Sequence, residues 1–444
     1  MTYDDAVKKI NSLLVFGSKP GLERVSELVE RIGSPDKKLK FVHVAGTNGK
    51  GSVCASVASV LTKAGYKTGL FISPFVIEFR ERFQINGRMI PKETLAGIVE
   101  DIFPVVEQMK SEGKIITEFE LVLAAALRWY AMENCDVVVL ETGLGGRFDA
   151  TNIIDTPLVS VIMSISLDHT AILGDTCEKI AFEKCGIIKP DGVTVLYGEQ
   201  PEGVYDVVKS AADERRNKLI TAKPDSVTKL GSGLRGSRFA YNDGVSGPIE
   251  LTTPLIGDHQ LKNAAAVLCV IQVLREKGFD ITDDAVREGL AEVKFPARLE
   301  LLSEDPVVLL DGAHNPGGAA ALSSAVKEHL SDRKKVAVAG MLADKDVRNA
   351  LSMLVPLFDY VIAVQPDNPR AMSAEELCGI VMEYGVPAEV CRDHAQACKK
   401  ALRLAGEFSD ADRKAAVVIF GSLYLASDIR RIMLGLKGND KNVQ

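Results

Sequence analysis

The chain has no apolar run close to the roughly 20 residues that a membrane-spanning helix needs. Its start, MTYDDAVKKI, is acidic and amphipathic and lacks the apolar stretch of a signal peptide. The eight cysteines include no CxxC pair, and several, such as Cys269 in AAAVLCVIQVL, lie in apolar runs typical of a core. These absences predict a cytoplasmic protein in a reducing compartment, without a membrane partner.

Positive charge is also scarce, because the net charge is −7, so no basic surface for nucleic acid is expected. The composition, with 46% hydrophobic and 25% charged residues, is that of a globular protein. At 444 residues the chain is too long to fold around a single hydrophobic core. No internal repeat or low-complexity tract is present. We expect a monomer of two domains that binds small molecules.

The most informative stretch is FVHVAGTNGKGS (41–52), in which an apolar strand and a glycine-rich turn precede a helix-like run. Glycines let amide groups approach an anion, and the helix N-terminus attracts negative charge. Lys50 is placed for terminal phosphates and Ser52 for magnesium, although an extra glycine, Gly51, separates them. A chance glycine-rich turn is the alternative. The strand before and the helix after favour a nucleoside triphosphate site.

Strands and helices alternate over 41–216 and again in the last third of the chain, which predicts α/β folding with parallel sheets. Short strand-like pieces over 218–256 predict a small antiparallel patch, and 294–299 reads as a linker. We therefore expect an N-terminal P-loop ATPase-like domain, 1–296, and a C-terminal Rossmann-like α/β domain, 297–444. Ligands bind at the carboxyl ends of such strands, so the domains should face each other.

Three polar residues follow apolar strands on the phosphate-loop side of the first predicted sheet: Ser73, Glu141 and His169. An acidic residue at a strand end of a phosphate-loop enzyme usually serves magnesium, although a solvated carboxylate is the alternative. A lone histidine is more often structural, and magnesium prefers oxygen ligands. Their convergence nevertheless favours a metal site.

Other polar residues allow two interpretations. Lys184, in the mostly apolar helix AFEKCGIIKP, is best read from the residues alone as a lysine that reaches the surface. The DGAHNP turn holds Asp311 and His314 after a strand, but Asp-Gly and Asn-Pro also form plain turns. His259 and Asn263 share one helix face, which suggests a ligand-facing edge and no more.

Taken together, these residues resemble the folylpolyglutamate synthase and dihydrofolate synthase family of the Mur ligase superfamily. The matching segments keep the family's order from about residue 40 to 426 and are HVAGTNGKGS, SPFVIEFRERFQING, ETGLGGRFDATN, LDHTAILGDT, IAFEKCGIIKP, GDHQLKNAAA, FPARLE, DGAHNP, DKD and FGSLYLA. The resemblance implies an ATP-dependent ligase that phosphorylates a folate carboxylate and then joins L-glutamate to it. It also implies Mg²⁺ at two sites, with K⁺ as a further candidate ion.

The resemblance assigns roles residue by residue. The implied ATP contacts are Gly46, Thr47, Asn48, Gly49, Lys50, Gly51, Ser52, Asn263, Arg298 and Asp311. The implied metal ligands are Ser52, Ser73, Glu141 and His169, and the implied catalytic residues are Lys50, Lys184 and His314. Lys184 matches a lysine that is carbamylated in much of the superfamily, which reverses the surface interpretation. The implied glutamate contacts are His314 and Ser422, the pterin contacts are Thr117, Phe119 and Asp149, and the loop 73–90 would close over folate.

Three alternatives stay open at this point. Thr117, Phe119 and Asp149 are compatible with a synthase that only extends folates and with one that also glutamylates dihydropteroate, and we favour the second. A muramyl-peptide ligase shares the chemistry, but the segments ETGLGGRFDATN and GSLYLA count against it. A nucleotide-switch protein would not need glutamate to release phosphate.

Overall fold

The computed structural model describes residues 1–17, 20–244, 247–410 and 413–436. The strands are β1 (Phe41–Ala45), β2 (Thr68–Phe71), β3 (Phe83–Ile85), β4 (Arg88–Met89), β5 (Val137–Glu141), β6 (Val159–Ile162), β7 (Val193–Leu196), β8 (Lys218–Thr221), β9 (Val227–Gly233), β10 (Gly236–Tyr241), β11 (Ile249–Thr253), β12 (Glu300–Glu304), β13 (Val307–Leu310), β14 (Lys334–Ala339), β15 (Tyr360–Ala363), β16 (Ala388–Val390) and β17 (Ala415–Phe420). The helices are α1 (Tyr3–Asn11), α2 (Glu23–Arg31), α3 (Lys50–Lys63), α4 (Lys92–Ser111), α5 (Glu118–Met132), α6 (Thr170–Leu173), α7 (Cys177–Lys184), α8 (Val204–Glu214), α9 (Asp258–Glu276), α10 (Asp283–Ala291), α11 (Pro316–His329), α12 (Val347–Leu354), α13 (Ala374–Glu383), α14 (His394–Phe408) and α15 (Leu423–Leu434).

The first sheet has eight strands in the order β4-β3-β2-β5-β1-β6-β7-β8. The six strands from β2 to β8 in this order are parallel, and every residue of β1, β2, β5 and β6 is buried. Continuous apolar runs are what a parallel sheet covered on both faces requires. The loops that follow β1, β2, β5 and β6 therefore meet at one edge, which confirms the predicted α/β architecture.

The second sheet has six strands in the order β12-β13-β17-β14-β15-β16, of which only β12 is antiparallel to its neighbour. Separate apolar clusters cover its two faces, as expected for a Rossmann-like layer arrangement. No helix among the described ranges is both long and apolar enough to cross a membrane.

The predicted antiparallel patch is a three-stranded sheet of β9, β10 and β11. The prediction placed the start of this patch too early, because β8 (Lys218–Thr221) pairs parallel to β7 and is the edge strand of the first sheet. The stretch 73–90, predicted to be a loop, contains β3 and β4. β3 pairs antiparallel to β2, and β4 pairs antiparallel to β3 at the edge of the first sheet. These short edge strands have little apolar periodicity to reveal them.

The segment between β2 and β3 joins the two sheets, and we call residues 73–82 the strap. Val76 of the strap is buried in the apolar cluster of the second sheet that also contains Leu310 and Leu423. The Glu81 carboxylate accepts hydrogen bonds from three successive amides near the tip of the strap, those of Val76, Ile77 and Glu78. The strap therefore leaves the first sheet and packs against the second. We call the chain up to residue 296 the first half and the chain from residue 297 the second half.

Candidate active site

The phosphate loop connects β1 to α3 with the geometry that its glycines allow. Gly46 has a φ of 154°, and a Cβ there would lie 2.5 Å from the Cβ of Met163 on the adjoining strand end. The Lys50 ammonium donates hydrogen bonds to the carbonyl oxygens of Gly46 (3.0 Å) and Thr47 (3.2 Å). The lysine is therefore already folded over the loop into which phosphates would fit.

The extra glycine of this loop has a packing cause. Gly51 lies in the first turn of α3, and a Cβ there would approach the Cζ atom of Phe295 to 2.3 Å. Phe295 belongs to the segment that leads into the second sheet, so Gly51 allows that segment to lie against the phosphate loop.

We expect Gly51→Ala to lower the free energy of unfolding by about 1–3 kcal/mol, because overpacking at a rigid backbone forces neighbours apart. Thermal unfolding measures this effect, and Gly51→Ala/Phe295→Leu should restore part of the lost stability. Gly97→Ala is the matched control, since Gly97 is also helical and no atom of the described residues lies within 4 Å of a Cβ added there. Equal melting temperatures for Gly51→Ala and Gly97→Ala would contradict the packing argument.

A cavity of about 650 Å³ lies where the carboxyl ends of both sheets meet. It brings together most of the predicted site residues, which come from both halves of the chain. Those that line it are Gly46, Thr47, Asn48, Gly49, Lys50, Gly51, Ser52, Ser73, Glu141, His169, Lys184, Asn263, Arg298, Asp311 and His314.

Glu141 and Ser73 are joined directly. The Ser73 amide donates a hydrogen bond to Glu141 Oε2 (3.2 Å), and Glu141 is buried at the end of β5. Burial raises the pKa of the Glu141 carboxyl, and the nearby Lys50 ammonium opposes that rise. Glu141 is therefore a buried acidic residue at the cavity and not a solvated loop residue.

Ser52 is oriented by a residue that the sequence reasoning missed. Gln260, buried at the start of α9, donates a hydrogen bond from Nε2 to Ser52 Oγ (3.3 Å). Its Oε1 atom accepts one from Asn263 Nδ2 (3.0 Å). Gln260 therefore links the phosphate loop to the predicted ATP contact Asn263. Its position between His259 and Asn263 at a helix start was the available signal.

His169 adopts a left-handed conformation (φ 51°) after β6, and its imidazole is partly exposed at the cavity. Burial, with the nearby Lys345 ammonium, lowers the pKa of His169, which favours the neutral ring that can bind a cation. The preceding Asp168 pairs with Lys345 (2.7 Å) and accepts a hydrogen bond from Asn315 (3.0 Å), both from the second half. The Lys345 ammonium holds the pKa of Asp168 well below its usual range despite burial.

Lys184 is buried, so the interpretation that it reaches the surface is wrong. Its side chain is 4% exposed at the end of α7, and Nζ donates to the Gly46 carbonyl oxygen (2.8 Å). Burial, with the nearby Lys50 ammonium, lowers the pKa of Lys184 to about 7. A large share of its amines is therefore neutral at physiological pH.

The second half contributes a compact acidic turn. Asp311 Oδ2 accepts a hydrogen bond from the Leu299 amide and Oδ1 from the Ala313 amide, each at 2.7 Å. Burial raises the pKa of Asp311, which the adjacent Arg298 guanidinium opposes. His314 Nδ1 lies 2.9 Å from the Gly312 carbonyl oxygen, and burial lowers the pKa of His314 to about 4. DGAHNP is thus a turn that lines the cavity and not merely a turn that connects a strand to a helix.

The residues fit a magnesium ion that arrives with a nucleotide. Within the described ranges, no group of three or more His, Cys, Asp or Glu side chains is placed to hold a metal ion. The candidate ligands instead combine one carboxylate, two hydroxyls and one imidazole around the cavity, from Glu141, Ser52, Ser73 and His169. Magnesium characteristically takes one or two carboxylates and completes its shell with water and phosphate oxygens.

Comparisons with known proteins match this architecture. Residues 44–271 match the Mur ligase middle domain, and residues 297–423 match the Mur ligase glutamate ligase domain. The Bacillus subtilis dihydrofolate synthase/folylpolyglutamate synthase is 37% identical over 97% of this chain and 98% of its own length.

The chain belongs to the folylpolyglutamate synthase/dihydrofolate synthase family.

Two further relatives extend the match. Folylpolyglutamate synthase of Lacticaseibacillus casei is 35% identical over 98% of this chain and its whole length. The Mycobacterium tuberculosis folylpolyglutamate synthase complexed with ADP and AMPPCP superposes with a TM-score of 0.88, at 32% identity, over 99% of this chain and 100% of that one. As a Mur ligase family member, this protein is an ATP-dependent ligase.

Four residues that the family resemblance singled out do not line the cavity: Thr117, Phe119, Asp149 and Ser422. Thr117 caps α5, accepting from the Glu120 amide and donating to its carboxylate, and Ser422 caps α15. Phe119 packs against Gly143, where a Cβ would lie 2.7 Å from its ring. Phe119 and Asp149 therefore lie against the Gly143–Leu144 backbone, which does line the cavity.

Proposed function

We propose that this ligase joins L-glutamate to the carboxylate of tetrahydrofolate and also to that of dihydropteroate. The observation that carries the proposal is the single cavity in which the phosphate loop, Lys184 and the DGAHNP turn meet, in a chain that matches dihydrofolate synthase/folylpolyglutamate synthase end to end. A carboxylate is a poor acyl donor until it is phosphorylated. One enclosed site must therefore hold nucleotide, acid and amine in order.

The reaction follows from this arrangement. An oxygen of the acid's carboxylate attacks the γ-phosphorus of ATP, and ADP leaves with the electrons of the broken bond. The glutamate amine then attacks the acyl carbon, loses a proton, and inorganic phosphate leaves. Lys50, fixed by the Gly46 and Thr47 carbonyls, would stabilise the charge on the transferring phosphoryl group.

The remaining ATP contacts would come from both halves of the chain. The phosphate loop from Gly46 to Ser52 and Asn263 belong to the first half, and Arg298 and Asp311 to the second.

We also propose that the chain divides after residue 296 into an ATP-binding domain and a glutamate-ligase domain, and that it acts as a monomer. A hydrogen bond between the two proposed domains supports their facing each other across the cavity: Asn315 donates to Asn48 in the phosphate loop (3.2 Å).

Magnesium would be held at two sites by Ser52, Ser73, Glu141 and His169, with K⁺ as a further candidate ion. The bound ion would neutralise phosphate charge during transfer. Gln260 and the Ser73–Glu141 hydrogen bond would keep the protein ligands in place.

Lys184 would act as a carbamate. Carbamylation needs a neutral amine and replaces a cation by an anion, and burial of Lys184 beside Lys50 favours both changes. His314 and Ser422 would serve the incoming glutamate, His314 directly at the cavity and Ser422 by capping the helix that follows β17. The loop 73–90, which contains the strap, would cover the folate.

Thr117, Phe119 and Asp149 would form the pterin end of the acid site. Phe119 and Asp149 both contact the Gly143–Leu144 backbone, whose other side lines the cavity, so a pterin ring would bind beside this backbone. The relatives include enzymes named for both activities and one named for folate extension alone. The names of these relatives favour a folate acid over a muramyl peptide.

Phosphate release from ATP distinguishes these substrates. We expect release with dihydropteroate and with tetrahydrofolate, and in both cases only when L-glutamate is present. Release with tetrahydrofolate alone would identify a synthase that only extends folates. Release only with a UDP-muramyl acid would overturn the substrate, and release without any acid or amine would indicate a nucleotide hydrolase.

A further inference from the structure

A fully buried histidine lies in the central strand of the first sheet. His43 is 0% exposed on β1, three residues before Gly46. Its neighbours Val42 and Val44 belong to the apolar cluster on one face of the sheet, so the alternation of β1 directs His43 to the other face. A buried imidazole destabilises the fold unless it is hydrogen-bonded, so its partner is informative.

The partner begins a chain of hydrogen bonds that ends at the cavity wall. His43 Nε2 lies 2.8 Å from Thr151 Oγ1, and Thr151 Oγ1 lies 2.5 Å from Asp149 Oδ1. Asp149 Oδ1 also accepts from the Thr151 amide (3.0 Å), and Oδ2 accepts from the Leu144 amide (2.7 Å). Leu144 lines the cavity.

The direction of each hydrogen bond follows from proton counting. The Thr151 hydroxyl has one hydrogen, which it donates to the Asp149 carboxylate, so it accepts from His43. The ring proton of His43 is therefore on Nε2, and Nδ1 has no partner among the described residues. Burial lowers the pKa of His43 to about 3, so it acts as a neutral donor and not as a counter-ion.

We propose that His43 and Thr151 are positioning residues for the acid substrate, because they fix Asp149 and, through it, the backbone at Gly143–Gly145 that lines the cavity. This inference rests on the proposed function for the identity of the acid. The Thr142 amide also bonds to the Val44 carbonyl oxygen (2.9 Å), so β1 supports both the phosphate loop and the acid-site loop. One strand thereby sets the relative position of the two reacting groups.

The test is a pair of substitutions at Thr151, with separate KM values for acid, ATP and glutamate. Thr151→Val keeps the shape but removes the hydroxyl, and we expect it to raise the KM for tetrahydrofolate or dihydropteroate by about 10-fold. The KM for ATP should not change. Thr151→Ser restores the hydroxyl and should recover most of the affinity for the acid.

Thr194→Val is the matched control. Thr194 is also fully buried in the first sheet, and its hydroxyl has no partner in the described part of the chain, so its loss should leave every KM unchanged. His43→Leu should raise the acid KM as Thr151→Val does, and the double variant should be no worse than the poorer single variant. If His43→Leu does not fold, the Thr151 pair decides.

Two results would overturn the inference. One is an equal rise in the KM for ATP and acid, and the other is a loss of stability in Thr151→Val with the acid KM intact. Neither result would contradict the proposed function, because that function is tested by glutamate-dependent phosphate release in the unmodified protein. Absence of release there with every pterin acid overturns the proposed function instead.

Discussion

Replacing Lys50 with alanine is expected to reduce kcat by about 10³-fold or more while the melting temperature stays close to that of the unmodified protein. Removal of a positioned positive group from a phosphoryl-transfer site commonly has an effect of this size. The fold should survive because, among the described residues, the lysine ammonium donates hydrogen bonds only to the Gly46 and Thr47 carbonyls, at a partly exposed loop. Glutamate-dependent phosphate release and thermal unfolding measure the two effects.

Lys63→Ala is the matched control, because Lys63 lies at the other end of α3 and pairs with Glu292 (2.7 Å) away from the cavity. It should retain full activity. Normal phosphate release by Lys50→Ala would contradict the proposal that this loop binds the nucleotide. Unfolding of this variant would instead show that Lys50 stabilises the loop.

Lys184→Ala should lose activity by about 10²-fold or more, because it removes a group that would become a buried anion at the reacting phosphates. Added acetate or formate should restore part of the activity by supplying a carboxylate in the space left by the side chain. Bicarbonate should stimulate the unmodified protein, increasingly as the pH rises through about 7, since only the neutral amine is carbamylated.

The pH range of this effect, and not its sign, distinguishes Lys184 from an ordinary lysine, of which about one amine in 10³ is neutral at pH 7. Lys179→Ala is the control on the same helix, since Lys179 is exposed and pairs with Asp175. Failure of short carboxylates to restore Lys184→Ala, together with an unmodified amine in a crystal grown with bicarbonate, would contradict carbamylation.

The parallel sheets were predictable from sequence because fully buried strands are continuous apolar runs. The same reasoning placed Ser73, Glu141 and His169 after strand ends on one edge, and the structure confirms that all three line one cavity. Their roles as ligands stay predictions. β3 and β12 were missed because short antiparallel edge strands take their pairing from a neighbour and not from their own pattern.

The position of Lys184 was not predictable from its residues alone. A lysine at the end of a short helix is usually exposed, and its burial here depends on the loop after β5 packing across α7: a Cβ at Gly146 would lie 2.7 Å from the Lys184 carbonyl oxygen. The pairing of Asp168 with Lys345 was also hidden, because it joins residues 177 positions apart across two sheets. Sequence patterns report local structure and not which distant charges meet.

Val76 has a consequence for any attempt to separate the two halves of this chain. Its side chain fills part of the apolar cluster under the second sheet, although it is encoded more than 200 residues before that sheet begins. A fragment that starts at residue 297 would therefore expose apolar surface that Val76 covers, at a cost of about 25 cal/mol for each Å². The halves are better regarded as complementing fragments than as portable modules, and an exchange of halves between two relatives would have to carry the strap along with its receiving surface.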